Sequence, residues 1–262
     1  MNNRPIGFFD SGVGGLSILL EAQKILPNES IVFLADQKNV PYGGKSKDEL
    51  LGFMRKALEF FIQQDVKAVV IACNTATVYT IEELRKEFNL PIIGTVPVIK
   101  VLARVTKSGK TAVFCTPATA KSPYLTELIE KFAPDIEVKK IGGSNLEELV
   151  EKGNLENSDI NEVLNRILPP LVSEGVDAIA LSCTHYPFLK DKIQKIVGEK
   201  VSVVDSGGAV ARRLLEVLTN NNSLASEKKQ EKYYTTGDRD NFKNVAEELM
   251  KRPIENVENV NL

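Results

Sequence analysis

The sequence predicts an α/β protein built as two α/β lobes with mainly parallel sheets, and two observations carry that expectation. First, short apolar runs alternate along the 262 residues with amphipathic stretches of helical period, the pattern of parallel strands joined by covering helices. About nine such runs suit two linked sheets better than one. Second, one pattern occurs twice. Ala68-Val69-Val70-Ile71-Ala72-Cys73-Asn74-Thr75 and Ala178-Ile179-Ala180-Leu181-Ser182-Cys183-Thr184-His185 each end an apolar run in a cysteine followed by polar residues. The two cysteines read as matching half-sites at strand ends, where open α/β sheets place ligands.

In chain order, Ile6 to Phe9 is the first strand, and Asp10-Ser11-Gly12-Val13-Gly14-Gly15 turns from it into a helix. Ile31 to Leu34 is the next apolar run. Lys47 to Gln64 has helical period, Ala68 to Ala72 is a strand, Ile81 to Phe88 a helix and Ile92 to Gly94 a strand. Thr111 to Phe114 and Glu137 to Ile141 read as strands flanking a helix from Pro123 to Phe132. A helix from Ile160 to Glu174 leads to strands Ala178 to Leu181 and Val201 to Val204, then a helix from Ala209 to Leu218. Thr219 to Glu231 is rich in Asn, Ser, Lys and Glu, so it reads as a solvated loop before a strand from Lys232 to Thr235. If Cys73 and Cys183 end equivalent strands, Ile92-Ile93-Gly94-Thr95 and Val203-Val204-Asp205-Ser206 follow each in turn. The lobes are then residues 1–96 plus 208–262, and residues 97–207.

Lys and Arg total 33 against 35 for Asp and Glu, a net charge of −2. No bulk positive field exists to hold a polyanion, so nucleic acid is not expected as a partner. Met1-Asn2-Asn3-Arg4-Pro5 runs straight into the first strand with no signal-peptide segment, and no stretch approaches membrane-spanning length. A cytoplasmic protein without a membrane partner is expected. Three cysteines do not make a disulfide scaffold in a chain of this length, and a reducing compartment keeps them as thiols.

Two thiols facing each other across one cleft can form a disulfide, bind a metal, or move protons on and off opposite faces of a substrate. A zinc site is hard to build here, because the chain has no C-x-x-C pair and only one histidine, His185. That histidine stands two residues after Cys183, where an imidazole can shuttle a proton or stabilise a thiolate. The glycine-rich turn after Asp10 lacks both a dinucleotide fingerprint and a P-loop lysine, yet its amides can hold an anion. Pro41-Tyr42-Gly43-Gly44 has turn residues. Thr116, Thr119 and Ser122 can be helix N-caps, or donors to a small dicarboxylate. Cys115 reads as a small buried hydrophobe.

These segments together resemble the cofactor-independent aspartate/glutamate racemase superfamily, and within it the glutamate racemases. The stretches that carry the resemblance begin with Ile6 to Leu16, Ala35-Asp36 followed by Pro41-Tyr42-Gly43, and Ala72-Cys73-Asn74-Thr75-Ala76. Thr116, Thr119, Ser122 and Tyr124 follow in register, then Cys183-Thr184-His185-Tyr186-Pro187, Asp205-Ser206-Gly207 and Tyr234-Thr235-Thr236-Gly237-Asp238. The resemblance implies two lobes related by a pseudo-twofold axis with the active site in the cleft between them. It also implies interconversion of L- and D-glutamate for peptidoglycan without pyridoxal phosphate or metal. By it, Cys73 and Cys183 are the proton donor/acceptors on the D- and L-glutamate sides, and Asp10 and His185 assist them. Substrate contacts carry over to Asp10, Ser11, Tyr42, Gly43, Asn74, Thr75, Thr116, Thr119, Thr184 and His185. In two places the chain departs from the family pattern. Cys115 replaces a glycine, and Ile141-Gly142-Gly143-Ser144-Asn145-Leu146 replaces a Cys-Pro-rich stretch, so that the acidic helper maps to Glu151.

The chemistry is consistent with that reading. Inverting a stereocentre by proton exchange needs two acid/bases, one starting as thiolate and the other as thiol, and a free cysteine with a pKa of about 8.5 serves both states. An aspartate racemase is the nearest alternative, differing by one methylene in its substrate. A two-lobed amino-acid-binding protein would carry an export signal and no paired thiols, and a thiol redox protein would carry a C-x-x-C motif. A homodimer stays open as the assembly.

Overall fold

The central strands of each sheet are buried on both faces, which is why they stand out in the sequence as continuous apolar runs. A computed structural model describes residues 1–95, 98–143, 145–227 and 230–262. In chain order the first elements are β1 (Ile6–Asp10), α1 (Leu16–Ile25), β2 (Ile31–Ala35), α2 (Lys47–Gln63), β3 (Ala68–Ile71), α3 (Asn74–Glu87) and β4 (Ile92–Gly94). There follow α4 (Ile99–Val105), β5 (Lys110–Cys115), α5 (Pro117–Ala120), α6 (Pro123–Phe132), β6 (Glu137–Gly142), α7 (Leu146–Glu151), α8 (Ser158–Ser173), β7 (Ala178–Leu181), α9 (Lys190–Val197) and β8 (Ser202–Asp205). The chain then returns through α10 (Gly207–Asn220), β9 (Glu231–Thr235), α11 (Arg239–Met250) and β10 (Val257–Asn259).

These elements divide into two units, Met1–Thr95 with Gly207–Leu262, and a second that ends at Ser206. The expected boundary at 96/97 lies outside the described residues, as do Lys228 and Lys229 of the expected loop and Ser144. Among the described residues the first unit holds a six-stranded sheet in the order β10-β9-β2-β1-β3-β4, and the second a four-stranded sheet in the order β6-β5-β7-β8. Every pair in both sheets is parallel. In the first sheet the strand order reverses between β1 and β3, and in the second between β5 and β7. Such a reversal opens a crevice at the carboxyl ends of the two strands that flank it.

In the first unit, Phe9, Leu34, Ile71, Met54, Leu58 and Phe61 form one core under α2 and α3. On the other face Phe33 packs on Phe242 of α11 with ring centroids 6.1 Å apart. The second unit is built on Leu102, Val113, Leu125, Ala178 and Ala180. β10 was not legible in the sequence, since Val257-Glu258-Asn259 holds one apolar residue and is mostly exposed. α3 begins at Asn74 rather than near Ile81, capped by Cys73, whose sulfur accepts from the Ala76 N–H at 3.5 Å.

The segment expected to be a solvated loop is exposed over most of its described residues, and it is also anchored at Ser223 and Ala225. Lys67 and Glu29 form an ion pair at 2.5 Å, with side chains only 1% and 2% exposed. Lys67 Nζ also donates to the carbonyls of Asn2 at 2.6 Å and Ser223 at 2.7 Å, and Glu29 Oε1 accepts from the Ala225 N–H at 2.9 Å. A polar composition reads as solvated because sequence does not reveal a partner so distant in the chain. Replacing Lys67 with Met strands a buried carboxylate, and the expected loss of stability is about 3–5 kcal/mol, read from urea unfolding. Pairing it with Glu29→Gln should recover much of that loss. A single variant as stable as wild type would show that the pair holds nothing.

Candidate active site

Each half-site grows out of a strand end at the reversal point of its own sheet. In the first unit β1 ends in Asp10, followed by Ser11, and the adjacent β3 leads to Cys73. Asp10 is fully buried, and its Oδ2 accepts from the Gly15 N–H at 2.8 Å. A side chain at Gly15 would bring its Cβ within 2.6 Å of the Asp10 Cβ, so the turn needs glycine there for close approach rather than for a dinucleotide. The Cys73 sulfur lies 3.6 Å from the Ser11 hydroxyl. Asn74 is buried, and its side-chain oxygen has no hydrogen-bond partner among the described residues. Thr75 follows on the half-buried first turn of α3.

Tyr42 is 3% exposed and packs between Phe9 and Phe53, with ring centroids 6.2 and 5.8 Å away. Its hydroxyl donates to Asp36 Oδ2 at 2.7 Å. Burial pushes the phenol well above its ordinary range, and the negative charges of Asp36, Cys73 and Asp10 add to the shift, so it remains a neutral donor. Asp36 also accepts from the Asn39 amide at 3.0 Å and the Thr236 hydroxyl at 2.8 Å. A carboxylate with three donors can anchor the turn that carries Tyr42 and the half-buried Gly43. This gives Asp36, matched only by motif in the sequence, a definite structural task.

In the second unit β5 leads to Thr116, and the neighbouring β7 leads to Cys183. Thr116 and Ser122 are N-caps, accepting from the Thr119 N–H at 3.3 Å and the Leu125 N–H at 3.2 Å. The Thr116 hydroxyl donates to that of Thr119 at 3.0 Å, which leaves the Thr119 hydrogen available to an acceptor. Thr184 and His185 are both buried. The Cys183 sulfur lies 3.5 Å from His185 Nδ1, and the opposite ring nitrogen, Nε2, lies 2.6 Å from Glu151 Oε1. Burial opposes a charge on this imidazole. Hydrogen bonds to Cys183 and Glu151 and their negative charges outweigh burial and hold its pKa well above the usual value. An imidazolium donates from both nitrogens, so Cys183, His185 and Glu151 form a continuous chain.

Two neighbours were given no role from the sequence. Tyr186 is fully buried against Phe114, centroids 4.7 Å apart, and its hydroxyl lies among backbone carbonyls at the ends of β5 and β6. Glu147 stands one helical turn before Glu151 on α7, so the two share a face. All three cysteines are free thiols. Among the described residues no group of three or more His, Cys, Asp or Glu side chains is arranged to hold a metal ion. Among the same residues no helix is long and apolar enough to cross a membrane.

Thiols flanked by titratable helpers at the reversal points of two parallel sheets define a proton-transfer isomerase of the racemase class. A family model described as Asp/Glu/Hydantoin racemase matches residues 17–214, and the chain belongs to this family. A glutamate racemase from Stutzerimonas stutzeri (strain A1501) is 40% identical over 235 residues, covering 89% of each chain. Among solved structures, glutamate racemase isoform RacE1 from Bacillus anthracis matches with a TM-score of 0.88 at 33% identity, over 100% of this chain and 99% of its own. The glutamate racemase of Francisella tularensis subsp. tularensis SCHU S4, solved in complex with D-glutamate, matches with a TM-score of 0.85 at 31% identity, over 100% and 98% of the two chains.

Proposed function

We propose that the protein is a glutamate racemase that supplies D-glutamate for peptidoglycan, working by proton transfer through two thiols without pyridoxal phosphate or metal. The observation that carries this reading is the placement of Cys73 and Cys183, each at the reversal point of its own sheet. Each also has polar helpers beside it: Ser11 for Cys73, with Asp10 at the end of the adjoining strand, and His185 with Glu151 for Cys183. Relatives named glutamate racemase support the choice of substrate.

From L-glutamate, the Cys183 thiolate takes the α-hydrogen and becomes a thiol. The electron pair left on the α-carbon delocalises into the α-carboxylate. The Cys73 thiol then gives its proton to the opposite face and is left as thiolate, so the product is D-glutamate. Starting from D-glutamate the roles exchange. Because the α-hydrogen is a very weak acid, donors to the α-carboxylate must take up the developing charge. The Thr119 and Thr184 hydroxyls, the amides of the turn that Tyr42 holds and strand-end amides are the donors for the substrate carboxylates, and the Asn74 side-chain oxygen suits the substrate ammonium. The imidazolium of His185 holds the Cys183 thiolate before abstraction, and Glu151 holds the imidazolium.

The test is polarimetry on D-glutamate with purified protein, no added cofactor and a chelator present. Rotation is expected to decay to zero, and a parallel sample of D-aspartate to change far more slowly. Activity that appears only on adding pyridoxal phosphate or a divalent ion sinks the mechanism, and faster turnover of aspartate sinks the substrate assignment.

A further inference from the structure

Tyr186 follows His185 in the chain, and the proton-transfer scheme gives it no task. Its backbone N–H donates to the Cys183 carbonyl at 3.2 Å, closing the turn that carries the thiol and the imidazole. The side chain is fully buried and packs on Phe114 of β5. A phenyl ring would pack there as well, whereas a buried hydroxyl must find partners. It finds them where β5 and β6 end: the Gly143 carbonyl at 3.1 Å and the Cys115 carbonyl at 3.3 Å, with Glu147 Oε2 at 3.5 Å. The Gly143 carbonyl is the nearest, and the Cys115 carbonyl already accepts from the Gly143 N–H at 2.8 Å. A Cβ at Gly143 would stand 2.6 Å from the hydroxyl, so only glycine lets the loop come this close.

From Gly143 the chain enters α7 at Leu146. A helix of six residues is too short to hold its own place, so its position is set by what it touches. Leu146 and Val150 are fully buried along one side of it. On another face, Glu147 lies within reach of the Tyr186 hydroxyl, and one turn later Glu151 Oε1 meets His185 Nε2 at 2.6 Å. Two consecutive residues therefore grip the two ends of one segment, Tyr186 at Gly143 and Glu147, His185 at Glu151. We propose that Tyr186 is a positioning residue, its hydroxyl pinning the β6–α7 loop so that Glu151 reaches His185 beside Cys183. Without the hydroxyl the Gly143 carbonyl loses this donor, α7 is freed at its start, and the carboxylate at its far end no longer has a fixed distance to the imidazole. The task in catalysis rests on the racemase reading, and the pin itself on the geometry.

Tyr186→Phe keeps the ring on Phe114 and removes the pin. With circular dichroism matching wild type, kcat/KM should fall about tenfold, because a catalytic group held loosely is misplaced for most of its time. A cycle with Glu151→Gln shows whether the loss travels through Glu151. If it does, adding Tyr186→Phe to Glu151→Gln should cost less than about twofold more. The same loss in both backgrounds, or none in Tyr186→Phe alone, overturns the role. A second readout needs no turnover. His185 is the only histidine of the chain, so one imidazole titrates in a ¹⁵N or ¹H NMR experiment. Within this unit Cys183 faces the ring from the end of β7, and Glu151 and Glu147 face it from α7. A carboxylate that accepts from the ring favours the imidazolium, so loosening Glu151 should lower the midpoint by about 0.5 pH units or more in Tyr186→Phe. In the Glu151→Gln background the same substitution should move it by less than about 0.2 units. A midpoint that Tyr186→Phe leaves in place overturns the pin. A wild-type protein that racemises nothing, yet shows this drop, would sink the function and leave the pin standing.

Discussion

Replacing either Cys73 or Cys183 with Ala is expected to lower kcat/KM for glutamate racemisation by at least ~10³-fold, while Cys115→Ala costs a few-fold at most. In the proposed two-thiol mechanism each thiol serves one face of the α-carbon, so that no other group could take its place. The equilibrium constant between mirror-image amino acids is unity, so kcat/KM must fall equally in both directions whichever thiol is removed. Cys115 is the internal control. It is fully buried, its sulfur lies 3.7 Å from the Ile141 carbonyl, and burial together with the charge of Cys183 pushes its thiol up to about 12. Such a thiol stays neutral and packs as an apolar group. Near-normal racemisation by Cys183→Ala, in a variant whose circular dichroism matches wild type, would falsify the two-base assignment.

What the sequence revealed, and what it did not, follows from the range of the interactions. Strands such as Val69-Val70-Ile71 and Ile179-Ala180-Leu181 are buried on both faces, so the local string carries the whole signal. The repeated cysteine pattern was legible for the same reason, because a thiol that ends a buried strand is marked by the strand. The first turns of α3 were not. Asn74-Thr75-Ala76-Thr77-Val78-Tyr79-Thr80 is rich in β-branched residues with modest helix propensity, and helical period becomes visible only from Ile81. There the Cys73 cap and the burial of Ala76, Thr77 and Thr80 override propensity. α7 is a six-residue helix, too short to show a period, and without it the shared face of Glu147 and Glu151 does not exist. Glu151 entered as a candidate only through family register. Its 2.6 Å contact with His185 joins residues from different elements, which no local pattern displays. The ion pair of Lys67 with Glu29 was hidden for the same reason.

Isotope incorporation should separate the two-thiol mechanism from any single-base alternative almost completely, because two bases on two faces leave a directional record. In deuterated water, D-glutamate formed from L-glutamate should carry solvent deuterium at the α-carbon in nearly every molecule. The Cys73 thiol that protonates the far face has exchanged with solvent before substrate binds, and the protium taken by Cys183 is not delivered to that face. L-glutamate recovered early in the reaction should be poor in deuterium, since Cys183 then holds substrate-derived protium and has little chance to return a solvent proton to its own face. Starting from D-glutamate the pattern should mirror, with Cys73 as the abstracting base. One base serving both faces would return much of the substrate's own hydrogen to the product, and mass spectrometry would show protium at the product α-carbon. Early product that retains most of its protium would therefore overturn the roles of Cys73 and Cys183 even in a protein that racemises glutamate efficiently. The same measurement reaches His185 and Glu151. If their chain to Cys183 exchanged protons with solvent faster than the carbanion is quenched, deuterium would enter recovered L-glutamate early while recovered D-glutamate stayed protiated in the reverse reaction. Burial of His185 at 6% exposure opposes that exchange, so the expected early deuterium content of both recovered substrates is low.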